Sequence, residues 1–157
     1  MILFRPVTSD DFPLLLTWLA KPHVRAWWDD GDDTLDKVVR HYGPDAETER
    51  FLICLQTPES ALAVPAGYIQ SYQMDGNGIG LDLFLGEEIL INQGIGTRVL
   101  LAFIPLQTAR HHPAYFLVDP EPDNRQAIRC YEKAGFYYTE TILTEEGKFA
   151  YIMRLDI

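Results

Sequence analysis

Three quoted segments decide the fold: Ile79-Gly80-Leu81-Asp82-Leu83-Phe84-Leu85, then Gly94-Ile95-Gly96-Thr97-Arg98-Val99-Leu100-Leu101-Ala102-Phe103-Ile104, then Tyr115-Phe116-Leu117-Val118. The first and last are short apolar runs of strand length, and the middle one carries apolar residues at helical spacing. A strand followed by a helix and a second strand makes a parallel crossover, because a tight turn cannot return the chain to the same end of a sheet. Just upstream, Asp75-Gly76-Asn77-Gly78 joins glycines and Asn that readily take positive φ, a hairpin turn. Gly67–Met74 therefore runs antiparallel to Ile79–Leu85.

Working outward, Ile2–Val7 reads as a first strand. Ser9 offers an N-cap to a helix that carries Leu14, Leu15, Trp18 and Leu19 and ends near Lys21-Pro22. His23–Asp33 reads as a loop leading to a helix capped by Thr34, and the strands Phe51–Gln56 and Val64–Met74 follow. The helix from Gly94 reaches toward Arg110, with Pro105 expected to kink it or end it early. Asp123 or Asn124 caps a helix running to Ala134 and stopped by Gly135. Strands at Tyr137–Thr144 and Phe149–Leu155 flank the turn Glu145-Glu146-Gly147. The order β α α β β β α β α β β implies an α+β sandwich: a mostly antiparallel mixed sheet, flanking helices and one parallel βαβ crossover, in a single domain over residues 1–157.

Composition narrows the partners. Among 157 residues, 13 Lys and Arg stand against 23 Asp and Glu, a formal charge of −10 that repels a phosphate backbone. A cationic small molecule is the better match. No apolar run approaches the length of a membrane span and no secretory signal opens the chain, so the expectation is a cytoplasmic protein with no membrane or nucleic-acid partner. Cys54 and Cys130 are too few for a disulfide scaffold, and no metal-ligand spacing is present.

Two motifs carry the chemistry. Gln93-Gly94-Ile95-Gly96-Thr97 lies between a strand and a helix, where glycines admit a close ligand and free amides at the helix start attract anions. Neither a Walker A loop nor the full dinucleotide fingerprint is present. The second motif is Asn124-Arg125-Gln126-Ala127-Ile128-Arg129-Cys130-Tyr131-Glu132-Lys133-Ala134-Gly135-Phe136. Asn124 and Tyr131 are two helical turns apart and share a face. They could line a groove, or they could serve as helix cap and core residue.

Taken together, these motifs resemble the acetyl-coenzyme A-dependent N-acetyltransferases known as GNAT, whose Asn-x-x-Ala-x-x-x-Tyr-x-x-x-Gly-Phe pattern the chain matches at every named position. Arg5-Pro6, Trp18-Leu19, His23, Trp27-Trp28, Gly67-Tyr68, Gln70-Ser71-Tyr72, Gly80-Leu81-Asp82 and Asp119-Pro120 extend the likeness to aminoglycoside 6′-N-acetyltransferases. The resemblance implies a GNAT-type fold with acetyl-CoA as cosubstrate. In it, amides of the Gly94–Thr97 loop cradle the pyrophosphate beside Gln93, Asn124 meets the pantetheine side, and Tyr131 protonates the departing thiolate. It also implies that backbone amides of Leu83, Phe84 and Leu85 polarise the acetyl carbonyl, and that Asp82 receives the amine. Trp27, Trp28, Gln70, Tyr72, Asp119 and Glu146 fall on the substrate side.

The chain departs from the family in two places. Ile91 occupies the first position of the loop pattern, where Gln or Arg is usual, and the Asp75–Gly78 turn is shorter than the acidic, Trp-containing loop of the resembling enzymes.

The implied reaction meets a mismatch. An alkylammonium has a pKa of about 10 and a free Asp about 3.9, so direct proton transfer to an unperturbed Asp82 is uphill by roughly 8 kcal/mol. Asp82 therefore orients the ammonium and passes its proton through water, with desolvation narrowing the gap. The competing expectations are a siderophore-type lysine N-acyltransferase, in which His usually replaces Asp82, a protein or peptide N-acetyltransferase, and a coenzyme A-binding module without catalysis. The acidic run Asp29–Asp33 reads either as a solvated loop or as a lid that steers a polycation.

Overall fold

A computed structural model describes residues 1–157. Its elements are β1 (Ile2–Pro6), α1 (Phe12–Leu19), α2 (Pro22–Arg25), α3 (Leu35–Tyr42), β2 (Thr48–Leu55), β3 (Val64–Met74), β4 (Gly78–Leu85), α4 (Ile95–His111), β5 (Tyr115–Val118), α5 (Arg125–Lys133), β6 (Tyr137–Leu143) and β7 (Phe149–Asp156). Seven strands form a mixed sheet in the order β1-β2-β3-β4-β5-β7-β6. The expected crossover is there: β4 and β5 pair in parallel through Gly78↔Tyr115, Ile79↔Phe116 and Gly80↔Leu117. The pairs β1–β2, β5–β7 and β6–β7 are antiparallel. No helix is long and apolar enough to cross a membrane.

The chain divides into two compact units, Met1–Gln70 with Leu83–Ile91, and Ser71–Asp82 with Asn92–Ile157. In the first, Phe12, Leu15, Trp18 and Leu19 of α1 are buried with Val38, Tyr42, Leu52, Tyr68 and Phe84. Ser9 is not the N-cap of α1: it opens a 3₁₀ turn, and Asp11 is the N-cap instead. Thr8 precedes a 3₁₀ turn at Ser9–Asp11, and its amide donates to Asp11 Oδ2 at 2.8 Å. Arg5 clamps the same carboxylate with two bonds of 2.8 and 2.9 Å. Within the expected His23–Asp33 loop the structure places α2, too short for apolar periodicity to reveal. Thr34 caps α3 as read, its hydroxyl accepting from Lys37 N at 3.3 Å.

In the second unit, α4 does not stop at Pro105 but continues to His111. Burial of Val99, Leu100, Phe103, Ile104 and Gln107 outweighs one missing hydrogen bond. The carbonyl deprived of a partner belongs to Leu101, a residue on the solvent side of the helix. Strand β6 lies at the edge of the sheet and is exposed along its length, with a bulge between Tyr138 and Glu140, while β7 buries Ala150 and Met153.

Candidate active site

The parallel register explains how two distant acids meet. It offsets β5 from β4 by 37 residues at each of its three pairs, and the same offset carries Asp82 to Asp119, just beyond the end of β5. Alternation puts Gly78, Gly80 and Asp82 on one face, and Tyr115, Leu117 and Asp119 on that face of the neighbouring strand. The two carboxyls come within hydrogen-bonding reach of each other, an arrangement that favours a proton on one of them. Loss of solvating water, together with the Asp82 charge, pushes the Asp119 carboxyl up to about 7. Asp119 nevertheless remains open to solvent, and water tempers the effect. The two acids titrate as a unit.

Two phenols flank the pair. Burial, then the charges of Asp82 and Asp119, hold Tyr72 far above the ordinary phenol range. The Tyr131 phenol is raised in the same way. Tyr131 is 8% exposed and packs edge-on to Phe136 with ring centroids 5.7 Å apart. Both hydroxyls thus keep their protons through the neutral range.

The start of α4 leaves backbone amides outside the helical ladder. Gly94 takes a left-handed conformation at φ 74° as the N-cap and supplies no side chain to the helix start. The first backbone bond back into this turn is Arg98 N to Gly94 O, 3.1 Å, so the amides of Ile95, Gly96 and Thr97 precede the helical ladder. The loop is pinned to α5 on both sides. Gln126 Nε2 donates to Asn92 Oδ1 at 2.5 Å, with Asn92 itself at φ 64°. At the helix start, Thr97 turns its hydroxyl toward Cys130, 3.5 Å from the carbonyl oxygen. A Cβ on Gly96 would lie 2.9 Å from Cys130 Sγ, so the close approach of the two helices requires glycine there. Asn124 caps α5, its Oδ1 accepting from Ala127 N at 3.3 Å. Of the two open readings, cap and core are therefore both realised, and the Nδ2 group is the part of Asn124 that remains for a ligand.

The family model for an acetyltransferase (GNAT) domain matches residues 7–144. The chain belongs to the GNAT acetyltransferase family. Among its relatives, aminoglycoside N(6′)-acetyltransferase type 1 of Klebsiella pneumoniae is 30% identical over 169 residues, which cover 98% of this chain and 82% of that one. The structure of AAC(6′)-Ib with paromomycin and acetyl-CoA matches with a TM-score of 0.88 and 29% identity, covering 99% of this chain and 93% of the other. AAC(6′)-Ib with coenzyme A and kanamycin matches at 0.87 and 28%, covering 99% and 95%.

The remaining residues expected in this GNAT chain divide by environment. Trp28 packs among core rings, 5.0 Å from Phe84 and 5.9 Å from Tyr68 between centroids, and its Nε1 donates to Tyr42 Oη at 3.0 Å. Trp27 is 46% exposed. Gln70 Oε1 accepts from Arg50 at 2.8 Å and from the Tyr68 hydroxyl at 2.7 Å. The Phe84 side chain is buried among these rings, which leaves only its backbone for a cosubstrate. The Leu85 carbonyl accepts from His23 Nε2 at 3.0 Å. Gln93 is exposed at the loop, and Glu146 is exposed in the β6–β7 turn. Within the acidic run, Asp33 pairs with Lys37 at 2.7 Å and the Asp32 carboxylate lies 2.6 Å from His41 Nδ1. Three features went unread in the sequence: the carboxyl pairing, the Asn92–Gln126 bond and the seat of Tyr72. The spacing Gly78-x-Gly80-x-Asp82 was the available signal for the last.

Proposed function

We propose that this GNAT chain, acting as one catalytic domain over residues 1–157, transfers the acetyl group of acetyl-CoA to the 6′-amine of an aminoglycoside within a ternary complex. The observation that carries this reading is the Asp82–Asp119 pair. Asp119 has another acid as its dominant charged neighbour, so its counter-charge has to arrive with a ligand. An ammonium group supplies it and drives off the shared proton.

Amides of Ile95, Gly96 and Thr97, with Gln93 and Gly94, hold the pyrophosphate, and Asn124 Nδ2 reaches the pantetheine side. Backbone amides of Leu83, Phe84 and Leu85 polarise the thioester carbonyl. Asp82 orients the amine and takes its proton through water. An acid pair that keeps a proton to about 7 narrows the gap to an amine of about 10 from six units to about three, or ~4 kcal/mol. The nitrogen–carbon bond forms as the carbon–sulfur bond breaks, and Tyr131 hands its phenolic proton to the departing thiolate. Cys130 takes no part, because its thiol is raised by burial and engaged by Thr97. Trp27, Gln70, Tyr72, Asp119 and Glu146 receive the rest of the sugar, while the Trp28 ring stays with the core.

The test is thiol release from acetyl-CoA by the purified chain with kanamycin or tobramycin, with the acetylated position read by NMR. Turnover at the 6′-amine is expected. Its absence, with hydroxylysine or peptides acetylated instead, overturns the reading.

A further inference from the structure

Gly78, Gly80 and Asp82 share one face of β4, and each glycine lies beneath a tyrosine. A Cβ at Gly80 would stand 2.2 Å from Tyr72 Cε2 and 2.7 Å from its hydroxyl oxygen, and a Cβ at Gly78 would stand 2.1 Å from Tyr115 Cζ. No side chain can occupy either position while the rings stay where they are. Tyr115 is held independently, since its hydroxyl donates to the Asp75 carbonyl and the Arg154 guanidinium lies 4.0 Å over its ring. Tyr72 depends on the open space above Gly80. That seat is one step along the same face from Asp82, and both carboxylates act on the Tyr72 phenol.

We propose that Tyr72, seated on Gly80, is a positioning residue whose ring forms the side wall that keeps the Asp82 and Asp119 carboxyls within hydrogen-bonding reach of each other. Among the groups near the pair are Tyr72 from β3 and Tyr131 from α5, whose phenols both feel the two acids. The chain after Asp119 is anchored separately, Tyr151 N donating to Pro120 O at 2.8 Å. With the wall removed, water enters beside the pair, the acids separate, and Asp119 returns toward an ordinary carboxyl. The consequence for acetyl transfer rests on the function proposed above, whereas the pairing does not.

The experiment follows the side-chain carboxyl carbons by ¹³C NMR in the full chain, free of ligands, during a pH titration of wild type, Tyr72→Leu, Tyr72→Phe and Gly80→Ala. The Asp119 midpoint is expected to fall by about one pH unit or more in Tyr72→Leu and Gly80→Ala, and to stay at the wild-type value in Tyr72→Phe, which keeps the ring. An unmoved midpoint in folded Tyr72→Leu overturns the proposal, as does an equal fall in Tyr72→Phe, which would assign the effect to the hydroxyl. If Gly80→Ala does not fold, the two Tyr72 variants decide alone. A wild type that turns over no aminoglycoside defeats the functional reading and leaves this titration to be judged by itself.

Discussion

Asp11 and Asp119 are two carboxyls treated in opposite ways. Burial works against the ionised form of Asp11, but two bonds from Arg5 and one from the Thr8 amide overcome it and hold the group below the usual carboxylate range. At Asp119 burial acts in the same direction, and the strongest neighbouring charge is a second acid. The first carboxylate is complete within the fold and serves to anchor a helix start. The second has an acid as its strongest neighbouring charge, and the proposed function rests on that contrast.

The largest expected effect tests the ligand side of this contrast. Asp82→Asn leaves Asp119 without its acid partner and removes the group proposed to take the amine proton, so kcat/KM for aminoglycoside should drop by about 10²- to 10⁴-fold in the thiol-release assay. Retained activity would show that the pair is not the amine site. Next comes the scaffold side. Asp11→Ala removes the Arg5 clamp and the Thr8 bond, at about 2 kcal/mol given that Arg5 is half exposed, or roughly 4–8 °C in Tm at neutral pH. Because the Asp11 carboxyl is lowered in the folded chain, this contribution is present above the unfolded pKa of 3.8 and is lost as pH falls through the lower folded value. The wild type and the variant should therefore converge in acid.

The smallest effect has the reverse pH dependence. With Asp119 raised from 3.8 to about 7, the folded chain binds more protons than the unfolded one between those limits, so stability declines as pH rises through that window. Asp119→Asn should then melt higher than wild type above pH 7, by less than about 1 kcal/mol because the carboxyl is open to water, and should lose the advantage below about pH 4. A variant less stable at every pH would mean that the pair contributes to holding the fold.

Local chemistry made much of this architecture legible. The Asp75–Gly78 turn, the apolar spacing of Val99–Ile104 and the stop at Gly135 each act within a few residues, and β3–β4, α4 and α5 follow from them. Where the reading fell short, the deciding force was tertiary or the element was too brief. Pro105 obeys its local rule by deleting a bond, but the buried face of α4 overrides the stop. Four residues of α2 are too few for a period to register. The site shows the same division: Asp82 and Asp119 were each found by motif, yet their union depends on the 37-residue offset between parallel strands, which no local pattern encodes. Trp28 reads as substrate-facing from its motif, whereas its packing against Phe84 and Tyr68 puts its ring among core rings.

Pro105 has a further consequence for α4. The missing amide leaves the Leu101 carbonyl facing solvent, while Ile104 and Gln107, on either side of the proline, stay buried. The helix is thus bridged across the gap by its inner face, as a rope holds past one cut strand.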